Sequence, residues 1–222
     1  MGSVCGSLTL FVFLDVVLAL TPPISYAQES SSKQQHSSPK SPKSPASSRQ
    51  LDLGTLRDGV YRNSAFGFSY KLPVSWVDRT EDMRQDSPSE APSQLLLSAF
   101  SRPPEAAGET INSAVIIAAE EVAAYPGLKR AVDYFEPLTQ AATSKGFRVV
   151  NEPYEFPIGT RVLVRSDFTK EEGPQKTYQS SLAILDKGYA VSFTFVAATE
   201  EDAAELLKNL SFAGPTRPKS TK

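Results

Sequence analysis

The sequence has very few of the side chains that act as strong nucleophiles or as soft metal ligands. Among 222 residues, the only cysteine is Cys5 and the only histidine is His36. The chain after residue 50 therefore has no thiol and no imidazole. This excludes disulfide bonds, Ser-His-Asp and Cys-His catalysis, zinc sites of the usual kind and haem ligation through histidine or cysteine from that part of the protein.

Nucleotide-binding motifs are also missing, because the chain has neither a Gly-x-x-x-x-Gly-Lys-Ser/Thr loop nor a Gly-x-Gly-x-x-Gly sequence. Carboxylate groups remain at Glu120-Glu121, at Glu171-Glu172, and at Asp82, Asp86 and Glu90. Neighbouring residues on a strand point to opposite faces, which separates Glu120 from Glu121. The carboxylates of Asp82, Asp86 and Glu90 lack the spacing of an EF-hand calcium site. Weak binding of a calcium ion by these loop side chains is the alternative.

We therefore assign no catalytic, cofactor-binding or metal-binding residue, and we predict no cofactor and no enzymatic activity. A hydrolase in which two carboxylates converge on a cleft is the remaining enzymatic alternative.

Charge is unevenly distributed along the chain, whose net charge is −2. Residues 28–50 contain four basic residues and one acidic residue, whereas residues 51–213 contain 16 basic and 23 acidic residues, a net charge of −7. Because a nucleic-acid-binding domain needs a basic surface, this acidic balance argues against nucleic acid as a partner.

The chain begins with a short apolar segment, LTLFVFLDVVLAL, from Leu8 to Leu20. It is shorter than the roughly 20 residues of a membrane span and is typical of a signal peptide. We predict a signal peptide over residues 1–27, cleaved after Ala27, an extracytoplasmic location (periplasmic or secreted), and no membrane span after cleavage. An uncleaved anchor is the alternative, because Asp15 interrupts the run and no Lys or Arg precedes it.

Residues 28–50 and 214–222 are predicted to be a disordered linker and a disordered tail. The linker has Ala46 as its only aliphatic residue, so it cannot bury enough apolar surface to offset its chain entropy. Its regularly placed prolines predict a semi-extended tether. Its Ser-Pro-Lys units also fit modification sites or contacts with an anionic surface or nucleic acid, which are alternatives.

Alternating apolar residues predict strands between these segments. Phe66, Phe68, Tyr70 and Leu72 share one parity, which is typical of a half-buried strand. Residues 114–122 are largely apolar, so that strand is predicted to be central and buried on both faces. Further strands are predicted at 60–61, 95–101, 161–168, 176–185 and 189–196, and another is predicted to begin at 147–150. In the strand 161–168, Val162 and Val164 alternate with Arg161, Leu163 and Arg165. The strands 176–185 and 189–196 are predicted to be joined by a turn at Asp186-Lys187-Gly188.

Two helices are predicted. The first, over Leu128–Ser144, has apolar residues three or four apart, and Pro137 is expected to kink it or to split it in two. The second extends from its N-cap Thr199 to about Leu210 and has an acidic first turn. This order predicts an α+β domain over residues 51–213, a mostly antiparallel β-sheet flanked by helices.

Two long predicted loops, Arg79–Ser93 and Arg102–Asn112, connect the early strands. Loops on a rigid scaffold often carry function, so we expect a partner to bind there. Trp76, the only tryptophan, is interpreted as a core residue, with ligand stacking as the alternative.

Two motifs resemble a known family. Tyr61-x-Asn63 followed by Phe66-Gly67-Phe68-Ser69-Tyr70-x-Leu72-Pro73-x-x-Trp76 resembles the start of PsbP-like domains, and Leu206-x-x-Asn209-Leu210-Ser211-Phe212 resembles their end. Those domains share a fold with the Ran-binding Mog protein and with exported bacterial proteins such as DcrB. The resemblance implies an αβα sandwich that binds partners or assists assemblies without catalysis. The matching residues are core and turn positions, so no functional residue is carried over.

The sequence as a whole predicts an exported, non-catalytic accessory or protein-interaction domain. The expected partner is another extracytoplasmic protein or an envelope component. A small-ligand or lipid-binding module, with a pocket between sheet and helix, is the alternative.

Overall fold

The computed structural model describes residues 51–86, 93–103 and 111–212. The predicted signal peptide, linker and tail lie outside these residues, as do parts of both predicted loops. The described elements are β1 (Thr55–Arg57), β2 (Val60–Asn63), β3 (Phe68–Lys71), β4 (Val77–Asp78), α1 (Thr80–Gln85), β5 (Ser93–Phe100), β6 (Ala114–Glu121), α2 (Phe135–Ser144), β7 (Arg148–Ile158), β8 (Arg161–Glu172), β9 (Gln175–Asp186), β10 (Tyr189–Ala197), α3 (Glu200–Lys208) and β11 (Leu210–Phe212).

The strands form two sheets. The large sheet has seven strands in the order β4-β5-β6-β10-β9-β8-β7, and the small sheet has four in the order β1-β2-β3-β11. Every described pair is antiparallel. The predicted α+β class with mostly antiparallel strands is confirmed, and the division into two sheets is an addition to it.

The centre of the large sheet is buried on both faces. Ile117 of β6 is in the main core, which also contains residues of the small sheet and α3. Its neighbour Ile116 points the other way and packs with Met83 of α1. On that second face α2 covers β8, β9 and β10 through Phe135 and Leu138. The prediction of a central strand buried on both faces is confirmed.

Local turn and cap signals in the second half of the domain are also confirmed. Lys187 and Gly188 both have positive φ, 51° and 85°, as a type I′ turn between β9 and β10 requires. The Thr199 side chain accepts a hydrogen bond from the backbone N–H of Asp202 at 3.1 Å, which caps α3.

The segment predicted as one helix over Leu128–Ser144 is divided. A 3-10 turn spans Ala131–Tyr134, and α2 begins only at Phe135. Pro137 therefore lies in the first turn of α2, where its missing N–H removes no intrahelical hydrogen bond. The change from 3-10 turn to α-helix falls before Phe135 and not at Pro137, so the predicted break at Pro137 and the predicted helix start at Leu128 are both wrong.

The prediction that Arg79–Ser93 is a loop throughout is wrong, because it contains α1. Arg84 of α1 donates hydrogen bonds from Nε to the Leu95 carbonyl at 2.8 Å and from Nη2 to the Leu96 carbonyl at 3.1 Å. Strand β4 has only two residues and pairs with Phe100 and Ala99 of β5. The Leu95 and Leu96 carbonyls therefore lie on the part of β5 that β4 does not reach. Part of the predicted binding loop thus covers a strand edge.

Two strands extend well past the residues that the sequence pattern identified. β7 continues past residue 150 to Ile158, and β8 continues past residue 168 to Glu172. Pro153 and Pro157 are tolerated because β7 is an edge strand, where a missing N–H breaks no ladder. Among the alternating residues 161–165 of β8, Leu163 is fully buried, whereas Val162 is 57% exposed.

We expect Ile117→Ala to lower the free energy of unfolding by about 2–5 kcal/mol, because it leaves a cavity between well-packed layers. Val74→Ala is the control, since Val74 is 92% exposed, and it should change that free energy by less than about 0.5 kcal/mol. Urea denaturation followed by circular dichroism measures both. Equal effects of the two substitutions would contradict the central position of β6.

Candidate functional site

A group of polar and aromatic side chains lies at the β7 edge of the large sheet. It consists of Asn151, Tyr154 and Phe156 of β7 and of Arg165 and Asp167 of β8, and we call it the Arg165 surface. The strand register pairs Tyr154 with Arg165 and Asn151 with Asp167. Residues directly opposite each other in an antiparallel pair share a face, so the ladder itself brings these side chains together.

The Asp167 carboxylate is the centre of this surface. Its Oδ1 accepts hydrogen bonds from Arg165 Nε at 2.8 Å and from Ser180 Oγ at 2.6 Å. Its Oδ2 accepts from Asn151 Nδ2 at 3.0 Å and from Tyr154 Oη at 3.3 Å. Asp167 is buried, and four donors, one of them cationic, compensate its charge.

The Arg165 guanidinium is fixed from two directions. Besides its contact with Asp167, its Nη2 donates to Ser180 Oγ at 3.1 Å. Its Cζ lies 4.9 Å from the centre of the Phe156 ring and 6.0 Å from that of Tyr154, which is a cation–π arrangement. The guanidinium is therefore held in one orientation before any partner binds.

The outer part of this region is accessible to solvent. Tyr154 is 38% exposed and Val150, four residues earlier in β7, is 49% exposed. Burial, followed by the nearby Asp167 carboxylate, raises the pKa of Tyr154, so its phenol is a hydrogen-bond donor at neutral pH. Tyrosine and arginine are enriched among the residues that dominate protein interfaces, because they combine large contact areas with directional polar groups.

A narrow cleft separates this part of the sheet from α3. Val150, Asn151, Tyr178, Glu200 and Ala203 are among the residues that line it, and it has room for about one water molecule. The lipid-binding alternative requires a deep apolar pocket between sheet and helix, and this cleft is too small to provide one.

A second polar cluster is buried on the opposite face of the large sheet, at the end of β6. Glu120 is 1% exposed, its Oε1 accepts a hydrogen bond from Tyr134 Oη at 2.5 Å, and its Oε2 accepts one from Tyr125 Oη. Burial raises the pKa of Glu120, and the two phenol hydrogen bonds oppose this shift. Glu121 is exposed, whereas Glu120 is buried, so the two neighbouring carboxylates are separated as predicted.

Three of the other carboxylates singled out in the sequence form ion pairs, and Asp86 is exposed at the end of α1. Glu171 lies 3.3 Å from Arg148, Glu172 lies 3.1 Å from Lys170, and Asp82 lies 2.8 Å from Arg79. Glu90 is outside the described residues. Within residues 51–86, 93–103 and 111–212, no group of three or more His, Cys, Asp or Glu side chains is placed to hold a metal ion.

Two further expectations concern Trp76 and the membrane. Trp76 is partly buried and packs against the main core, in agreement with its interpretation as a core residue. Among the described helices, none combines the length and the apolar composition that crossing a membrane would need.

We expect Asp167→Asn to lower the free energy of unfolding by about 1–3 kcal/mol, because it leaves the enclosed Arg165 guanidinium without its counter-charge. Asp186→Asn is a matched control that breaks the ion pair with Arg161, whose side chain is 38% exposed. That change should cost less than about 1 kcal/mol. Chemical denaturation of both variants measures the difference, and a larger loss for Asp186→Asn would contradict the central role of Asp167.

Comparison with known proteins finds similarity at the level of solved structures. Neither a protein-family model nor a curated protein matches the chain. Similar structures include the cyanobacterial PsbP (CyanoP) of Synechocystis sp. PCC 6803, with 13% identity, a TM-score of 0.46, and coverage of 69% of this chain and 91% of that one.

Two other similar structures come from yeast and a mycobacterium. The Ran-binding protein Mog1p of Saccharomyces cerevisiae has 13% identity and a TM-score of 0.39, covering 70% of this chain and 84% of its own. LpqN of Mycobacterium tuberculosis, described as involved in cell envelope biogenesis, has 13% identity and a TM-score of 0.37, covering 66% and 83%. Two of the three, the PsbP and Mog proteins, are those named by the sequence resemblance.

Proposed function

We propose that this protein is an exported, non-catalytic accessory domain that binds another extracytoplasmic protein or an envelope component through the Arg165 surface. The observation that carries the proposal is the orientation of Arg165, held between Asp167 and the Phe156 ring beside the exposed Tyr154. Because these side chains are already ordered, they would lose little conformational entropy when a partner binds.

A protein surface suits this geometry better than a small molecule does. The adjacent cleft admits about one water molecule, whereas small-ligand sites are deep concave pockets. The Arg165 surface instead combines an exposed aromatic ring with an arginine, and both residue types are enriched at the centre of protein interfaces.

The position of this surface differs from the two loops expected from the sequence. In the first of those loops, Arg84 is occupied in covering β5. The loops therefore become the competing location for binding, and export through the segment 1–27 remains part of the proposal on the strength of its sequence pattern.

Site-specific photo-crosslinking in cells that make the full chain tests the proposal. A benzophenone amino acid at position 150 should capture a defined protein, identified by mass spectrometry. The same probe at Val74, which is 92% exposed and lies between β3 and β4, should not capture it. Tyr154→Ala should then reduce capture at position 150 by about tenfold or more, since interface tyrosines of this kind contribute on the order of 2 kcal/mol.

The Val74→Ala substitution is the matched control and should leave capture at position 150 unchanged. Thermal unfolding of Tyr154→Ala must show a folded domain for its result to count. If capture survives Tyr154→Ala but is lost when residues 104–110 are replaced by a Gly/Ser connector, the partner binds the loop and the proposed surface is wrong.

A further inference from the structure

The segment between β6 and α2, residues 122–134, is attached to the large sheet through the Glu120 carboxyl. Tyr125 and Tyr134 come from opposite ends of this segment, and each donates its phenol hydrogen bond to a different oxygen of Glu120. The Tyr134 hydroxyl also bonds to Ser192 of the neighbouring strand β10. One side chain of the sheet therefore holds both ends of the segment.

We propose that Glu120 is a proton-controlled latch: the segment 122–134 is closed on the sheet when Glu120 is protonated, and it opens locally when Glu120 loses its proton. The inference goes beyond the proposed function, because it concerns the opposite face of the sheet and needs no partner. It identifies a regulatory response of the fold to the pH of the surroundings.

No positive charge among the described groups compensates Glu120. The groups that act on its carboxyl are the two phenols, which are neutral. Within the segment, the backbone N–H groups of Lys129 and Arg130 donate to the Asp133 carboxylate, and the Arg130 guanidinium pairs with it at 2.9 Å. The Arg130–Asp133 ion pair is thus local to the segment, the Arg130 side chain is 75% exposed, and Lys129 is exposed as well.

The elements packed around the carboxyl are also uncharged where they face it. On β5, Ser93 lies directly opposite Glu120, and its buried hydroxyl has no hydrogen-bond partner within the described structure. On β10, Ala190 is opposite Glu120. Glu121 and the α2 residue Glu136 are both exposed.

This environment makes ionisation of Glu120 costly in the closed state. A buried carboxylate without a cation loses its hydration and gains only two hydrogen bonds in return. The neutral acid avoids this cost. Once ionised, Glu120 regains hydration only if the segment moves away from the sheet, which is a local opening and not global unfolding.

The sign of the pH dependence follows from burial, which raises the pKa of Glu120 in the closed state above its value in the open state. The closed segment therefore has its full stability below the pKa of the open state. That stability is lost as the pH rises through the raised pKa of the closed state.

Amide hydrogen exchange of the full chain, resolved to residues 122–134 by mass spectrometry, tests the latch. At each pH the exchange rate of the natural protein is divided by that of Glu120→Gln, whose neutral amide cannot titrate, so the intrinsic pH dependence of exchange cancels. The ratio should rise with pH, by about tenfold for each unit by which the closed-state pKa exceeds the open-state pKa. A ratio that stays constant with pH would overturn the proposal.

Tyr125→Phe provides an independent test that does not require Glu120→Gln to fold. It removes one of the hydrogen bonds that lower the pKa of Glu120 in the closed state, so the pH at which the rise in exchange of segment 122–134 levels off should move upward relative to the rest of the domain. Glu121→Gln, which changes the exposed neighbour, should leave that pH unchanged. A shift caused by Glu121→Gln, or none with Tyr125→Phe, would assign the titration to another group and refute the latch.

Discussion

Burial of the large sheet on both faces is the constraint on which the rest of the structure depends. Alternate side chains of β6 enter two different apolar clusters, one shared with the small sheet and α3 and the other with α1. A strand of this kind needs a covering layer on each side, because either face left open would expose a continuous apolar surface. The helices and the small sheet supply those layers, and their arrangement fixes where polar groups become enclosed.

The two polar clusters show two solutions to the same problem of enclosing a carboxylate. At the sheet edge, Asp167 has a guanidinium and three further donors, so its charge is matched and the cluster is a fixed, partly exposed surface. At the end of β6, Glu120 has two phenols and no cation in its described surroundings, so its proton is the simplest way to remove its charge. The first arrangement favours recognition by orienting side chains. The second favours a response to pH.

Much of the local structure was predictable because its signals are local. The apolar run of β6, the turn at Asp186-Lys187-Gly188 and the Thr199 cap each depend on a few consecutive residues. The separation of two sheets was not predictable in this way, since it depends on pairings such as β3 with β11, far apart in the chain. The six-residue helix α1 was missed because so short a segment shows little periodicity.

No residue of the candidate site was predicted, and the reason is again distance along the chain. The Arg165 surface depends on the register between β7, β8 and β9. Bulges in β7 shift that register, so it cannot be obtained by counting residues along the strands. One signal was present for the second cluster: Glu120 directly follows six apolar, buried residues of the same strand. Its partners, Tyr125 and Tyr134, lie in a segment whose path over the sheet the sequence pattern did not reveal.

The most direct test of this account asks whether the layers unfold as one unit around the shared large sheet. Trp76 is the only tryptophan and packs against the main core, so its fluorescence reports on that core, while far-ultraviolet circular dichroism reports on the strands and helices as a whole. The account predicts that the two signals change in one coincident urea transition. Two separate transitions, with the tryptophan signal lost while most secondary structure persists, would contradict a single core shared by both sheets.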